Sequence, residues 1–174
     1  MLAAGGMTFD QAMAGVLSTC GISGGTAYCW GENLYGRLGT GVGDHEAAPT
    51  PLAGGRSYEF ISQEAVNNIL RGGCGITTDG RLTCWGNNEH QELGTQTSEE
   101  CDFNDNLGPC STVPVLAELD EAVTHVGLGR QHTCALTDSE EVYCWGQNDQ
   151  GQLGRGTVDD AGLPPAPVTG LPAN

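Results

Sequence analysis

The chain has 174 residues, enough for one domain with a real core, and it carries 28 glycines and no long helix-forming stretch. Six basic residues against 22 acidic ones give a net charge of −16, a field that repels phosphate backbones and anionic membrane surfaces. This excludes nucleic acid as a partner and a helical bundle as a fold, and it favours cationic partners or divalent ions. No apolar run reaches the roughly 18 residues needed to cross a bilayer. Met1 to Met7 lack the basic start and apolar core of a secretory leader, so the expectation is a leader already removed or a chain excised from a longer one.

In chain order, Thr8 to Val16 reads as a short strand ahead of a hairpin near 16–39. That hairpin turns at Gly24-Gly25, a two-residue signal of the primed type, with Cys20 and Cys29 symmetric about it. A second hairpin near 70–94 places Cys74 and Cys84 symmetrically about Asp79 in Thr78-Asp79-Gly80, which suits a three-residue loop. A disulfide-tied loop insertion at 97–112 follows, with Cys101 and Cys110. A short apolar strand, Val123 to Leu128, then leads into the third hairpin near 130–154. Its strands carry Thr133-Cys134-Ala135-Leu136 and Val142-Tyr143-Cys144-Trp145, and its cysteines centre on Ser139. A variable loop then runs to a proline-rich segment, Pro164, Pro165, Pro167 and Val168.

Cysteines symmetric about a turn face each other on adjacent antiparallel strands, where Cβ atoms are close enough to bridge. The predicted disulfides are Cys20–Cys29, Cys74–Cys84 and Cys134–Cys144, with Cys101–Cys110 tying off the insertion. Zinc is the competing reading, but no Cys-x-x-Cys occurs, and His45, His90, His125 and His132 follow no ligand spacing. Paired cysteines imply an oxidising compartment: secreted, periplasmic or at the cell surface.

Cys-Trp-Gly occurs at Cys29, Cys84 and Cys144, each time with an asparagine two places on (Asn33, Asn88, Asn148) and then a Leu-Gly pair (Leu38-Gly39, Leu93-Gly94, Leu153-Gly154). The copies start 55 and then 60 residues apart, a period at which each unit must stack on its neighbours to bury its apolar face. The expected fold is all-β. The motif Cys-Ala-Leu, Tyr-Cys-Trp-Gly-x-Asn, Gly-Gln-Leu-Gly-x-Gly and a Pro-Val segment resembles the regulator-of-chromosome-condensation repeat. It is most similar to the cysteine-paired version of secreted bacterial proteins. The third copy matches best, through Cys134-Ala135-Leu136, Gly151-Gln152-Leu153-Gly154-Arg155-Gly156 and Pro167-Val168. The second departs most, with Gln91 where Gly36 and Gly151 stand.

The resemblance implies β-propeller blades of four strands, usually seven to a ring. Three repeats are too few to close one, since at least four blades are needed. The expectation is one repeat domain over 1–174 that is a partial propeller, or one part of an oligomeric or longer ring. The strand at 8–16 is expected to complete the last repeat from the other end of the chain.

Trp30, Trp85 and Trp145 occupy a fixed place in the repeat, which points to packing between sheets rather than to a carbohydrate-stacking row. Asn33, Asn88 and Asn148 are expected to satisfy backbone groups in their turns. Binding residues should sit where the copies differ, and Tyr35, His90 and Gln150 occupy one such turn tip, joined as candidates by Phe103 of the insertion. Oxygen side chains alternate at Asp102, Asn104 and Asn106 as in a calcium loop. Yet the glycine falls one place late and Val113 stands where the closing glutamate belongs, so a solvated acidic loop is the plainer reading. No other cofactor is expected.

A nucleophile elbow, a phosphate-cradling loop with lysine and a zincin motif are all missing from the sequence, which reads as no enzyme. The function expected is a non-enzymatic protein-interaction or structural module of a secreted or surface-attached bacterial protein. Its partner would be another protein or a copy of itself, met through open blade edges. The resemblance also offers an inhibitor or regulator of a specific enzyme, as with propeller-type β-lactamase inhibitors. The more remote reading is a self-assembling extracellular ring or filament subunit.

Overall fold

A computed structural model describes residues 6–63, 72–102 and 107–170. They form three antiparallel sheets, each built on one of the predicted hairpins, and the sheets are β-propeller-type blades. Blade 1 has the order β1 (Gln11–Ala14), β2 (Ser18–Ser23), β3 (Thr26–Gly31), β4 (Glu46–Pro51). Blade 2 runs β5 (Tyr58–Gln63), β6 (Gly72–Thr77), β7 (Leu82–Asn87), β9 (Leu107–Leu116), β8 (Glu99–Asp102). Blade 3 runs β10 (Val123–Leu128), β11 (His132–Thr137), β12 (Val142–Asn148), β13 (Asp159–Pro167).

Turn chemistry sets the register of the central hairpins. Ser23 pairs with Thr26 across Gly24 and Gly25, whose φ angles of 55° and 79° are those of a primed turn. The amide of Thr77 bonds the carbonyl of Arg81 at 2.9 Å around the three-residue loop at 78–80. Both registers bring cysteines face to face: Cys20 opposite Cys29, Cys74 opposite Cys84, and, in blade 3, Cys134 opposite Cys144. All three pairs are disulfides, as is Cys101–Cys110. In blades 1 and 3 the outermost strands hold the prolines, Pro49 and Pro51 on β4 and Pro164, Pro165 and Pro167 on β13, where a missing amide donor is tolerated.

The core lies between sheets, not within one. One buried cluster joins blades 1 and 2 through Ile22, Leu38, Leu52, Tyr58, Ile61 and Trp85. The other joins blades 2 and 3 through Ile76, Leu82, Leu93, Val123, Val126 and Trp145. Bulk is shared out within each sheet: a methyl group on Gly21 would lie 2.7 Å from the Phe9 ring, and one on Gly75 would lie 2.7 Å from the Tyr58 ring. In blade 3 the same volume is divided between Val123 and Ala135.

Two expectations are corrected. The N-terminal strand does not complete the last repeat; β1 pairs with β2 from Gln11 opposite Ile22 to Ala14 opposite Thr19. Gln11 fixes it there, its side chain bonding both the amide (3.1 Å) and the carbonyl (3.4 Å) of Ile61 on the neighbouring blade. Blade 3 takes its four strands from its own repeat. The insertion, too, is more than a loop. Glu99 to Asp102 pairs with β9 as a fifth strand, and the Glu99 carboxylate accepts from both the amide (2.9 Å) and the hydroxyl (2.7 Å) of Thr112.

Candidate functional site

The features that repeat most strictly are the junctions between blades. In each copy the asparagine after Cys-Trp-Gly closes its turn with both ends of its amide. Asn88 Oδ1 accepts from the Leu93 amide at 3.1 Å while Nδ2 donates to the Thr95 carbonyl at 2.9 Å. Asn148 does the same with Leu153 (3.1 Å) and Thr157 (3.0 Å), and Asn33 with Leu38 (3.0 Å) and Val42. All three are buried, and a buried amide satisfied at both ends fixes a turn firmly.

Each fixed turn offers a carbonyl and a glycine to the next blade. The indole Nε1 of Trp85 donates to the carbonyl of Arg37 at 2.9 Å, and that of Trp145 to the carbonyl of Glu92 at 2.8 Å. The hydroxyl of Thr133 adds a second bond to the Glu92 carbonyl at 2.8 Å. Beside these carbonyls lie Gly39 and Gly94. A methyl group there would meet the Trp85 ring at 2.7 Å or the Trp145 ring at 3.0 Å, and both residues also have positive φ. Glycine is required twice over.

Side chains brace each turn differently. Glu32 and Arg37 form an ion pair at 2.6 Å. In blade 2, Asn87 Nδ2 donates to Glu92 at 2.9 Å, and Glu92 also accepts from the His90 amide at 2.8 Å. In blade 3, Gln152 accepts from the Gln150 amide at 2.9 Å. A small cavity of about 30 Å³ at the second junction is lined by Asn87, Glu92, Arg130, His132 and Thr133 among others. Burial there holds the His132 imidazole below its ordinary pKa.

Tyr35, His90 and Gln150 share one place in the repeat, and in blades 1 and 2 the backbone at that place packs on the following blade. A methyl group on Gly36, next to Tyr35, would lie 2.8 Å from Thr112 on β9 of the following blade. One on Gly162 of β13 would lie 2.4 Å from the His90 carbonyl oxygen, and Gln91 Nε2 donates to the Gly162 carbonyl at 3.0 Å. Gln150, in the last blade, is exposed. The sequence missed this role because burial by the next repeat leaves no local mark.

Asp102 is exposed at the end of β8, and Phe103, Asn104 and Asn106 lie outside the described residues. Glu99, Cys101 and Cys110 bring three ligand-type atoms within 4.8 Å, but both sulfurs are spent in a disulfide. Among the described residues no helix is long and apolar enough to cross a membrane.

The chain is 33% identical over 161 residues to the Ultraviolet-B receptor UVR8 of Arabidopsis thaliana, covering 92% of this chain and 34% of that protein. It is 34% identical over 125 residues to the Protein RCC2 homolog of Danio rerio, covering 67% of this chain and 23% of that one. Among solved structures, Prp20p from Saccharomyces cerevisiae, described with its binding properties to Gsp1p and histones, superposes with a TM-score of 0.76 at 17% identity. That superposition covers 93% of this chain and 38% of Prp20p, so the fold is shared over nearly the whole chain. The chain thus spans between 23% and 38% of these proteins. The Regulator of chromosome condensation (RCC1) repeat pattern matches residues 24–66, 79–136 and 139–174, and the chain belongs to that repeat family.

Proposed function

We propose that this chain is a non-enzymatic protein-interaction module of a secreted or surface-attached bacterial protein. The observation that carries the reading is the use of all eight cysteines in four disulfides, three of them across the central strand pair of a blade. Such ties persist in oxidising compartments and are reduced in a bacterial cytosol. A stack of blades with an exposed turn tip at Gln150 and a strongly acidic composition suits a partner with a cationic patch. Prp20p, described as binding Gsp1p and histones, supports a protein as the class of partner for this fold.

Export tests the compartment. Fitted with a secretory leader, the chain should accumulate in the periplasm fully oxidised and should unfold cooperatively. A photo-crosslinking residue at Gln150 tests the partner class. Adducts to polypeptide support the reading, and adducts only to lipid or sugar contradict it. A reduced chain as stable as the oxidised one would contradict the compartment.

A further inference from the structure

Blade 2 is packed on both faces, by blades 1 and 3, and carries a fifth strand that the other two sheets lack. In blades 1 and 3 the outermost strands hold prolines, at Pro49 and Pro51 on β4 and at Pro164, Pro165 and Pro167 on β13. Strand β9, which fills the same place in blade 2, holds Pro109 and Pro114. Proline has no amide to donate, so each of these rims is a poor template for another strand. In blade 2 the insertion lays β8 over that rim, and Glu99-Glu100-Cys101-Asp102 contains no proline.

Register fixes which way the main chain of β8 points. Glu100 lies opposite Pro109, which has no N–H, and the Pro109 carbonyl turns the other way to accept from the Asn88 amide at 2.9 Å. Glu100 therefore occupies a non-hydrogen-bonded place in the β8–β9 ladder, and its own N–H and C=O point outward. Among the described residues no strand pairs with that side of β8. The edge is also held in shape. The Cys101–Cys110 disulfide ties β8 to β9, and the Glu99 carboxylate accepts from the amide and the hydroxyl of Thr112. A preformed edge leaves the cost of ordering to the incoming segment. Glu99, Glu100 and Asp102 are exposed, and no Lys, Arg or His occurs from residue 91 to residue 124.

We infer that the outer edge of β8 receives an extended, lysine- or arginine-rich segment of a partner protein, which adds to blade 2 as a sixth strand. Its main chain pairs with Glu100, and its basic side chains meet the carboxylates of β8. The inference rests on the interaction-module reading and names the chemistry and the place of the partner. Charge selects the occupant. Cross-strand pairs of like charge are destabilising and pairs of opposite charge stabilising, so a second copy of β8 is refused and a basic strand is accepted. Strand addition of this kind draws affinity from main-chain bonds and specificity from alternate side chains. Glu100 and Asp102 share a face with Leu107, which is 70% exposed. A Lys or Arg side chain suits such a face, with its apolar stem and charged tip.

Fluorescence anisotropy of the oxidised chain with a labelled peptide of alternating lysine and valine tests this. The peptide should bind, more weakly as salt rises, and a peptide of alternating glutamate and valine should not. Glu100→Gln should weaken binding severalfold by removing one charge. Glu100→Pro should weaken it about tenfold more, because it also removes the outward N–H while leaving the β8–β9 bonds in place. Glu59→Gln, an exposed acid on β5 at the opposite edge of the same sheet, should leave binding unchanged. Hydrogen exchange in the parent chain is a second readout that needs no variant. The Glu100 amide should slow when the peptide binds, and unchanged exchange would overturn strand addition. Failure of the lysine–valine peptide to bind, equal binding by Glu100→Pro and Glu100→Gln, or a loss in Glu59→Gln equal to theirs would each overturn the inference. A chain that fails to bind the peptide yet yields polypeptide adducts at Gln150 would overturn it too, and would leave the interaction-module reading standing.

Discussion

Trp145 and Glu92 are 53 residues apart in sequence, yet the indole N–H of one meets the backbone carbonyl of the other at 2.8 Å, deep in the second blade junction. Trp85 and Arg37 repeat the relationship at the first junction, at 2.9 Å. Fixed side-chain spacing within each repeat thereby becomes fixed spacing between blades, and the stack acts as one body.

Trp145→Ala should therefore cost about 3–5 kcal/mol, by loss of a fully buried ring and creation of a cavity. Trp30→Ala, at the half-buried equivalent position, should cost well under half as much in the isolated chain. Urea denaturation of the two variants under monomeric conditions checks the contrast. Equal losses would mean that blade position does not govern the packing of this tryptophan.

The turn asparagines should be far more sensitive than their surface-loop sequence context suggests. Asn148→Ala leaves the Leu153 amide and the Thr157 carbonyl without their partner and should cost about 2–3 kcal/mol. Asn148→Asp sets a buried carboxylate against the Thr157 carbonyl and the Asp159 carboxylate, so at neutral pH it should cost at least as much as Asn148→Ala. Thermal unfolding of the pair ranks them, and a neutral Asn148→Ala would contradict the role given to this turn.

Glu140 sits at φ 66° in the third hairpin loop, a left-handed position held in the second hairpin by Gly80 at φ 77°. A side chain there costs about 1 kcal/mol relative to glycine. Glu140→Gly should raise stability by about 0.5–1 kcal/mol, the gain reduced by glycine's greater freedom in the unfolded chain. A chemical-denaturation midpoint that falls would show that contacts of the Glu140 side chain outweigh the strain.

Acid should weaken the second junction before it reaches the carboxylates. Burial lowers the folded-state pKa of His132, while the unfolded chain protonates near the ordinary value of about 6.5. Between those two values the unfolded state binds more protons, so stability is present above about pH 6.5 and is lost as pH falls through that window. Hydrogen bonds from Ser139 and Thr77 hold the exposed Glu121 and Asp79 carboxyls below their usual range, so their losses come at lower pH. Urea midpoints measured from pH 7 to pH 5 should decline, and His132→Gln should flatten the decline. An unchanged slope in that variant would remove His132 as its source.

Local chemistry carried much of this fold. Gly24-Gly25 announces its turn because few residues tolerate two successive positive φ values, and Val123 to Leu128 is apolar at the strand's own boundaries. Cysteine symmetry about each turn gave the three cross-strand pairs. What escaped was everything decided by a neighbouring blade. The place of β1 depends on Gln11 reaching Ile61, fifty residues on, and the repeat pattern is indifferent to which sheet a strand joins. Glu99 to Asp102 is acidic and follows no alternation, so its pairing with β9 is seen only in the ladder itself, from Glu99 opposite Cys110 to Asp102 opposite Leu107. The turns at Tyr35 and His90 look like free loop tips, yet Gly36 and the His90–Gln91 backbone pack on the following blade.

The chain is a stack of blades, each tied across its middle by a disulfide. Non-reducing peptide mapping of the exported chain tests it most directly. Four links are expected, Cys20–Cys29, Cys74–Cys84, Cys101–Cys110 and Cys134–Cys144, and no free thiol. Free thiols in freshly isolated protein, or links that cross from one blade to another, would contradict it.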